Sequence, residues 1–162
     1  MIKKKELSFA KKLKLFEKHE QWTDVKKELR IFTKIDLRTI ADSIFSKIIR
    51  IKYSDWREYA YCYTCDKVDE WQNLQCGHYY SRGKMNTRYE ERNSRVQCYY
   101  CNIKISGNYR EYTLRLIKEI GIEKVKEMKT ESETLVKITK MWYYNIILKL
   151  EKRLEIVIKE RK

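Results

Sequence analysis

The sequence predicts a mostly helical α+β fold, in which a small cysteine-bearing finger is flanked by N-terminal helices and a long C-terminal helix. Three observations carry this prediction. The 162 residues include no proline and only four glycines, so few positions interrupt a helix. Apolar residues recur at helical spacing on both sides of the centre. Between them, Cys62-Tyr-Thr-Cys65 and Cys98-Tyr-Tyr-Cys101 enclose an apolar and aromatic run with strand character.

Taken in order, Ser8 to Glu20 reads as a short basic helix, and Thr23 can cap a second from Asp24 to about Phe32. Thr39 can cap a third that runs through Ile51 and places Ile40, Ile44, Ile48 and Ile51 on one face. The finger follows from about Tyr61 to Gly107, then a helix from Tyr109 to Ile120 and another from about Glu123 to Lys129. The last helix is expected from about Glu131 to Lys159. Val136, Tyr143, Leu150 and Val157 recur every seven residues there, with Ile147 and Leu154 between them and Lys140 breaking the seam. The chain thus divides into a basic helical region (1–55), the finger (56–108) and C-terminal helices (109–162).

Paired Cys-x-x-Cys turns supply four thiolates, the preferred tetrahedral set for a structural Zn²⁺, so Cys62, Cys65, Cys98 and Cys101 are the expected ligands. The 32 residues between the pairs exceed the spacing of a simple four-cysteine module, so the loop carries something more. Leu74-Gln75-Cys76-Gly77-His78-Tyr79-Tyr80 suits a short strand and Ser81-Arg82-Gly83 a turn, which puts His78 at the end of a strand held by zinc. Cys76 lies outside either pair and reads as a small buried hydrophobe.

The formal net charge of +14 points to a nucleic-acid partner. Arg82, Lys84, Arg88, Arg92, Arg95 and Lys104 are the candidate phosphate contacts, because the zinc staple holds them near His78. Tyr61, Tyr63, Tyr79, Tyr80, Tyr89, Tyr99 and Tyr100 surround the finger and could stack on splayed bases or simply pack. No apolar run approaches the roughly 18 residues needed to span a bilayer and no signal peptide is visible, so a cytoplasmic location without membrane contact is expected.

The first Cys-x-x-Cys, Gly77-His78-Tyr79-x-Ser81-Arg82, Arg88-Tyr89-x-x-Arg92-Asn93, Gln97-Cys98-x-x-Cys101-Asn102 and Gly107-Asn108 together resemble the phage NinG (Rap) recombination proteins. Ala41-Asp42-x-x-Phe45-Ser46-x-x-Ile49-Arg50 and Tyr112-x-x-x-Leu116-Ile117-x-x-x-Gly121 extend the likeness over about residues 41–160. That family belongs with the HNH, or His-Me finger, endonucleases, and the endonuclease VII type of junction resolvase is the nearest mechanistic relative. The resemblance implies a ββα-metal finger with His78 as general base, Asn93 as the middle asparagine of the signature and Asn102 as a ligand of a catalytic Mg²⁺ or Mn²⁺. It also implies metal-dependent cutting of branched DNA such as a four-way junction, in the cytoplasm of a bacterial host, with a recombinase as a candidate protein partner.

Imidazole suits proton abstraction near neutral pH, and a hard cation takes amide oxygens. Related nucleases place an aspartate or histidine before the base, where this chain has Gly77, so further oxygens are needed. Glu90, Glu91, Ser106 and Asn108 are candidates. Alternatives stand beside these readings. His78 could be a satisfied structural histidine, Asn102 a helix N-cap, and the whole chain a less selective HNH nuclease or a non-catalytic zinc-stapled accessory protein. The heptad stripe either pairs two subunits or covers the chain's own N-terminal helices; the two-fold symmetry of a four-way junction favours a homodimer.

Overall fold

The fold is a mostly helical α+β arrangement with two small antiparallel sheets, seen in a computed structural model that describes residues 29, 30 and 32–161. The expected helix from Ser8 to Glu20, and nearly all of that from Asp24 to Phe32, lie outside the described residues. Leu29 and Phe32, at the end of the latter, are buried in the core.

Helix α1 spans Lys34–Lys52 and begins six residues earlier than the Thr39 cap would place it. Thr33 is the cap: its Oγ1 accepts from the Asp36 backbone N–H at 3.1 Å, while Asp36 Oδ2 accepts from the Thr33 N–H at 2.8 Å. This reciprocal pair satisfies two donors that a helix start leaves open. Thr39 lies inside the helix and donates its hydroxyl to the Ile35 carbonyl. Ile40, Ile44, Ile48 and Ile51 are all buried, joined by Leu37, Ala41, Phe45 and Ile49.

Strands β1 (Tyr59–Tyr61) and β2 (Val68–Glu70) form a hairpin whose connection carries the first cysteine pair. Strand β3 (Gln75–His78) pairs with β4 (Ser94–Gln97) in the register Gln75↔Gln97, Cys76↔Val96, Gly77↔Arg95 and His78↔Ser94. A single π-helical turn, Tyr100–Lys104, carries Cys101 of the second pair and stands where the helix of a ββα finger was expected.

Helix α2 (Tyr109–Ile120) has the expected bounds, and α3 runs from Ile122 to Glu133, longer than the expected segment. Gly121, at φ 86°, separates them in a backbone conformation that residues with a Cβ rarely adopt. The C-terminal helix does not begin at Glu131. Residues 134–139 are non-helical, Thr139 Oγ1 accepts from the Trp142 N–H, and α4 spans Lys140–Glu160.

The heptad stripe therefore loses Val136, and its remaining members face inward. Tyr143, Ile147, Leu150 and Val157 are buried in one cluster with Leu37, Ile40, Ile48 and Ile49 of α1. Each fully buried aliphatic side chain contributes about 1.5–3 kcal/mol, so this seam joins the two helices of one chain and is not free to pair subunits. Cys62, Leu74, Val96 and Cys98 complete the same core, so the helical regions and the finger share it. A second cluster of Tyr79, Tyr112, Leu116, Val125 and Met128 seats α2 and α3 against the end of β3. Among the described residues no helix is long and apolar enough to cross a membrane.

Candidate metal centre and adjoining cleft

The sulfurs of Cys62, Cys65, Cys98 and Cys101 lie within 4.8 Å of one another. Cys65 Sγ and Cys98 Sγ are 3.8 Å apart, close to the edge of a tetrahedron with zinc–sulfur bonds of about 2.3 Å. Four thiols at this spacing fit Zn²⁺. Two chain turns bring them together: the Asp66 N–H donates to the Cys62 carbonyl at 3.0 Å, and the Cys101 N–H donates to Cys98 Sγ at 3.5 Å. Burial opposes ionisation of Cys62, yet hydrogen bonds from the Cys98 and Thr64 backbone bring its thiol down to about 7. Burial and contact with neighbouring thiols push Cys65 up to about 12. A cation bound by these sulfurs would displace their thiol protons.

Beside this staple lies an open cleft of about 540 Å³, lined by Ser46 and Arg50 of α1, Leu74 just before β3, Gln75, Cys76 and His78 on β3, Ser81 and Arg82 of the following loop, and Asn102 and Ile103 of the π turn. His78 sits at the end of its strand, as expected. Its Nε2 is 3.0 Å from the Arg88 carbonyl oxygen, which can only accept, so Nε2 carries the proton and Nδ1 the lone pair. Among the described residues no hydrogen bond engages Nδ1. Burial, together with the nearby Arg82 and Arg88 charges, holds the imidazole down at about 4 and keeps it neutral at ordinary pH.

Asn93 is fully buried and ties the histidine loop: its Oδ1 accepts from the Tyr80 N–H at 2.8 Å, and its Nδ2 donates to the Tyr80 and Thr87 carbonyls, both at 3.0 Å. Asn102 lies within the π turn, whose cap is Tyr99, so it is not an N-cap. Its Nδ2 donates to Gln75 Oε1 at 2.7 Å across the cleft. The carboxamide oxygens of these two residues are hard ligands suited to Mg²⁺ or Mn²⁺. Gln75 was not among the sequence candidates, and none of Glu90, Glu91, Ser106 and Asn108 lines the cleft. Glu91 is instead paired with Lys52 and Arg153.

Gly77 owes its identity to packing. A Cβ built there would fall 2.0 Å from Gln97 Oε1, because the buried Gln97 carboxamide occupies the space a residue-77 side chain would need. Gln97 Nε2 donates to Thr64 Oγ1 at 3.0 Å and to the Gly107 carbonyl at 2.8 Å, which fixes it there.

The six basic candidates separate into two groups. Arg82, Lys84 and Lys104 are exposed. Arg88 and Arg95 are only 8% and 2% exposed and form bidentate pairs with Asp42 and Glu119, and Arg92 pairs with Glu131. Arg88 and Arg95 spend their donors inside the molecule, whereas the Arg92 pair lies at the surface. Of the tyrosines around the finger, Tyr79 is buried and Tyr63, Tyr80 and Tyr89 are partly so, whereas Tyr61, Tyr99 and Tyr100 are exposed. Cys76 is half-buried on the cleft wall, where burial pushes its thiol up to about 12.

The family model described as NinG, Bacteriophage Lambda NinG protein, matches residues 1–160. Comparison with curated proteins and with solved structures gives no match.

Proposed function

The chain belongs to the NinG family, which implies a phage recombination-related role, and from that premise we propose that it is an HNH-type endonuclease that cuts branched DNA. The single observation carrying this reading is the placement of His78. A neutral imidazole, fixed through Nε2 and with Nδ1 unengaged among the described residues, sits in a cleft that Asn102 also lines.

In the proposed reaction, His78 Nδ1 takes a proton from water while the Arg88 carbonyl stabilises the charge gained on the ring. The water oxygen bonds to phosphorus in line with the departing 3′ oxygen, that P–O bond breaks, and the 3′ oxygen acquires a proton from solvent. The products carry a 5′-phosphate and a 3′-hydroxyl. Asn102 and Gln75 would hold a Mg²⁺ or Mn²⁺ ion through their carboxamide oxygens. When bound, such an ion supplies polarisation of the phosphate and neutralisation of charge on the leaving oxygen. Among the described residues no carboxylate lines the cleft, so the remaining ligands in this reading are waters and oxygens of the DNA phosphate. Arg82, exposed at the rim, orients that phosphate. The four-cysteine zinc staple would tie the β1–β2 turn to the end of β4 and the π turn, and so fix the π turn beside the sheet that carries His78.

A second reading, a non-catalytic zinc-stapled DNA-binding accessory, is favoured by that same lack of a carboxylate. Cleavage of a labelled four-way junction and a matched linear duplex, with Mg²⁺, Mn²⁺ or EDTA, separates the readings. Metal-dependent nicking selective for the junction supports the proposal. Equal cutting of both substrates indicates a less selective nuclease, and tight binding without cutting indicates the accessory. Two cuts across a junction call for two sites, so a homodimer is part of the proposal, formed through a surface other than the stripe on α4.

A further inference from the structure

The base is held by a chain of contacts that leaves the finger altogether. Arg88, whose carbonyl accepts from His78 Nε2, sends Nε to Asp42 Oδ1 at 2.8 Å and Nη2 to Asp42 Oδ2 at 2.5 Å. Its remaining nitrogen, Nη1, donates to the Arg82 carbonyl. The next residue joins the same carboxylate: Tyr89 Oη donates to Asp42 Oδ1 at 3.0 Å. The residue before is fixed from the other side, since the Thr87 carbonyl accepts from Asn93 Nδ2. Phe45, one turn along α1 from Asp42, packs with ring centroids 5.8 Å from both His78 and Tyr89. Every flank of the peptide that faces His78 is therefore tied to something else.

We propose that Asp42 is a positioning residue for the base: from α1 it clamps Arg88 and Tyr89, and so aims the Arg88 carbonyl that holds the proton on His78 Nε2. The catalytic half of this inference rests on the endonuclease reading; the clamp itself does not. A carbonyl on a mobile loop would let the imidazole rotate and exchange its Nε2 proton with solvent, whereas a clamped carbonyl keeps Nδ1 aimed into the cleft. Asp42 reaches a buried guanidinium from 46 residues away, and a bidentate pair fixes orientation as well as distance. Burial works against the charge on Arg88, but Asp42 outweighs it and raises the guanidinium pKa, so Arg88 stays charged.

The test uses zinc-loaded, full-length protein labelled with ¹⁵N-histidine. Exchange of the His78 Nε2 proton with solvent is compared in wild type and Asp42→Asn, with the Tyr79 amide, bonded to the Asn93 carbonyl, as internal reference for local opening. The expected result is exchange of the ring proton about tenfold faster relative to the Tyr79 amide, as loss of one ordinary hydrogen bond would produce. DNA cleavage should show a kcat lower by about tenfold with KM for DNA unchanged. Should the stranded Arg88 charge unfold the single variant, Asp42→Asn with Arg88→Gln removes both charges and carries the same expectation. A folded, zinc-loaded variant whose ring proton exchanges as in wild type would overturn the clamp and leave Asp42 as an ordinary ion-pair partner. Wild-type protein that cuts no DNA would speak against the endonuclease reading alone, because the exchange comparison judges the clamp without it.

Discussion

Gly77→Ala asks whether the buried Gln97 carboxamide excludes a side chain from the position before the base. The new methyl would sit 2.0 Å from Gln97 Oε1, 2.7 Å from Cδ and 2.9 Å from Cγ, all closer than real contacts allow, so Gln97 must swing away. It is fully buried, and moving breaks its bonds to Thr64 Oγ1 and the Gly107 carbonyl. Two such bonds are worth about 1 kcal/mol each, crowding adds about 1 kcal/mol, and replacing glycine within a strand returns about 0.5–1 kcal/mol. The net expected loss is about 2 kcal/mol. Urea denaturation of the zinc-loaded protein, followed by circular dichroism, measures it. All three clashing atoms lie beyond the Gln97 Cβ, so Gln97→Ala removes them at its own cost of about 2–3 kcal/mol. The double variant should then cost no more than Gln97→Ala alone, a coupling of about 2 kcal/mol. If the two single losses simply add, Gln97 does not dictate the glycine.

The purified protein should carry one zinc per chain by elemental analysis, and Cys98→Ser should lose both the metal and the finger's amide dispersion in NMR spectra. A folded, metal-free Cys98→Ser protein would rule out a structural zinc. The His78 imidazole is held at about 4, below the 6.5 of an unfolded histidine, so between these values the unfolded chain binds a proton that the folded one refuses. Its contribution to stability is complete above pH 6.5 and is lost as the pH falls towards 4, on the order of 3 kcal/mol. An NMR titration of His78 with a midpoint near 6.5 would contradict the burial argument. Among the basic residues, Arg82→Ala and Lys84→Ala should each lower the salt dependence of DNA binding by about one counterion at unchanged stability. Arg95→Ala should destabilise the fold with the salt dependence intact. The opposite pattern would mean that the internal ion pairs open on DNA.

What the sequence revealed was chiefly what its local spacing encodes. Two Cys-x-x-Cys turns can converge on few things other than a metal, and the four sulfurs do lie together. An apolar run followed by Ser81-Arg82-Gly83 put His78 at a strand end for the same local reason. Helix ends were harder to read where several cap residues compete. Thr33 and Thr39 both suit an N-cap, and the deciding feature was Asp36 reaching back to Thr33. The heptad register ran through residues 134–139 because periodicity does not register that Thr139 caps a new helix.

Long-range pairing left no local trace. Nothing local to Arg88, Arg92 and Arg95 signals that Asp42, Glu131 and Glu119, at separations of 46, 39 and 24 residues, pair with them. Gln75 and Gln97 gave no warning either, since one matters through Asn102 across the cleft and the other through the space above Gly77.

In the proposed cation-dependent nuclease, His78 activates the attacking water. Single-turnover cleavage of a four-way junction by wild type and His78→Ala, each folded and zinc-loaded, in saturating Mn²⁺ tests it most directly. The expected rate is lower by about 10²–10⁴-fold in the variant at unchanged DNA affinity, the usual contribution of a general base. Equal rates in the two proteins would contradict it.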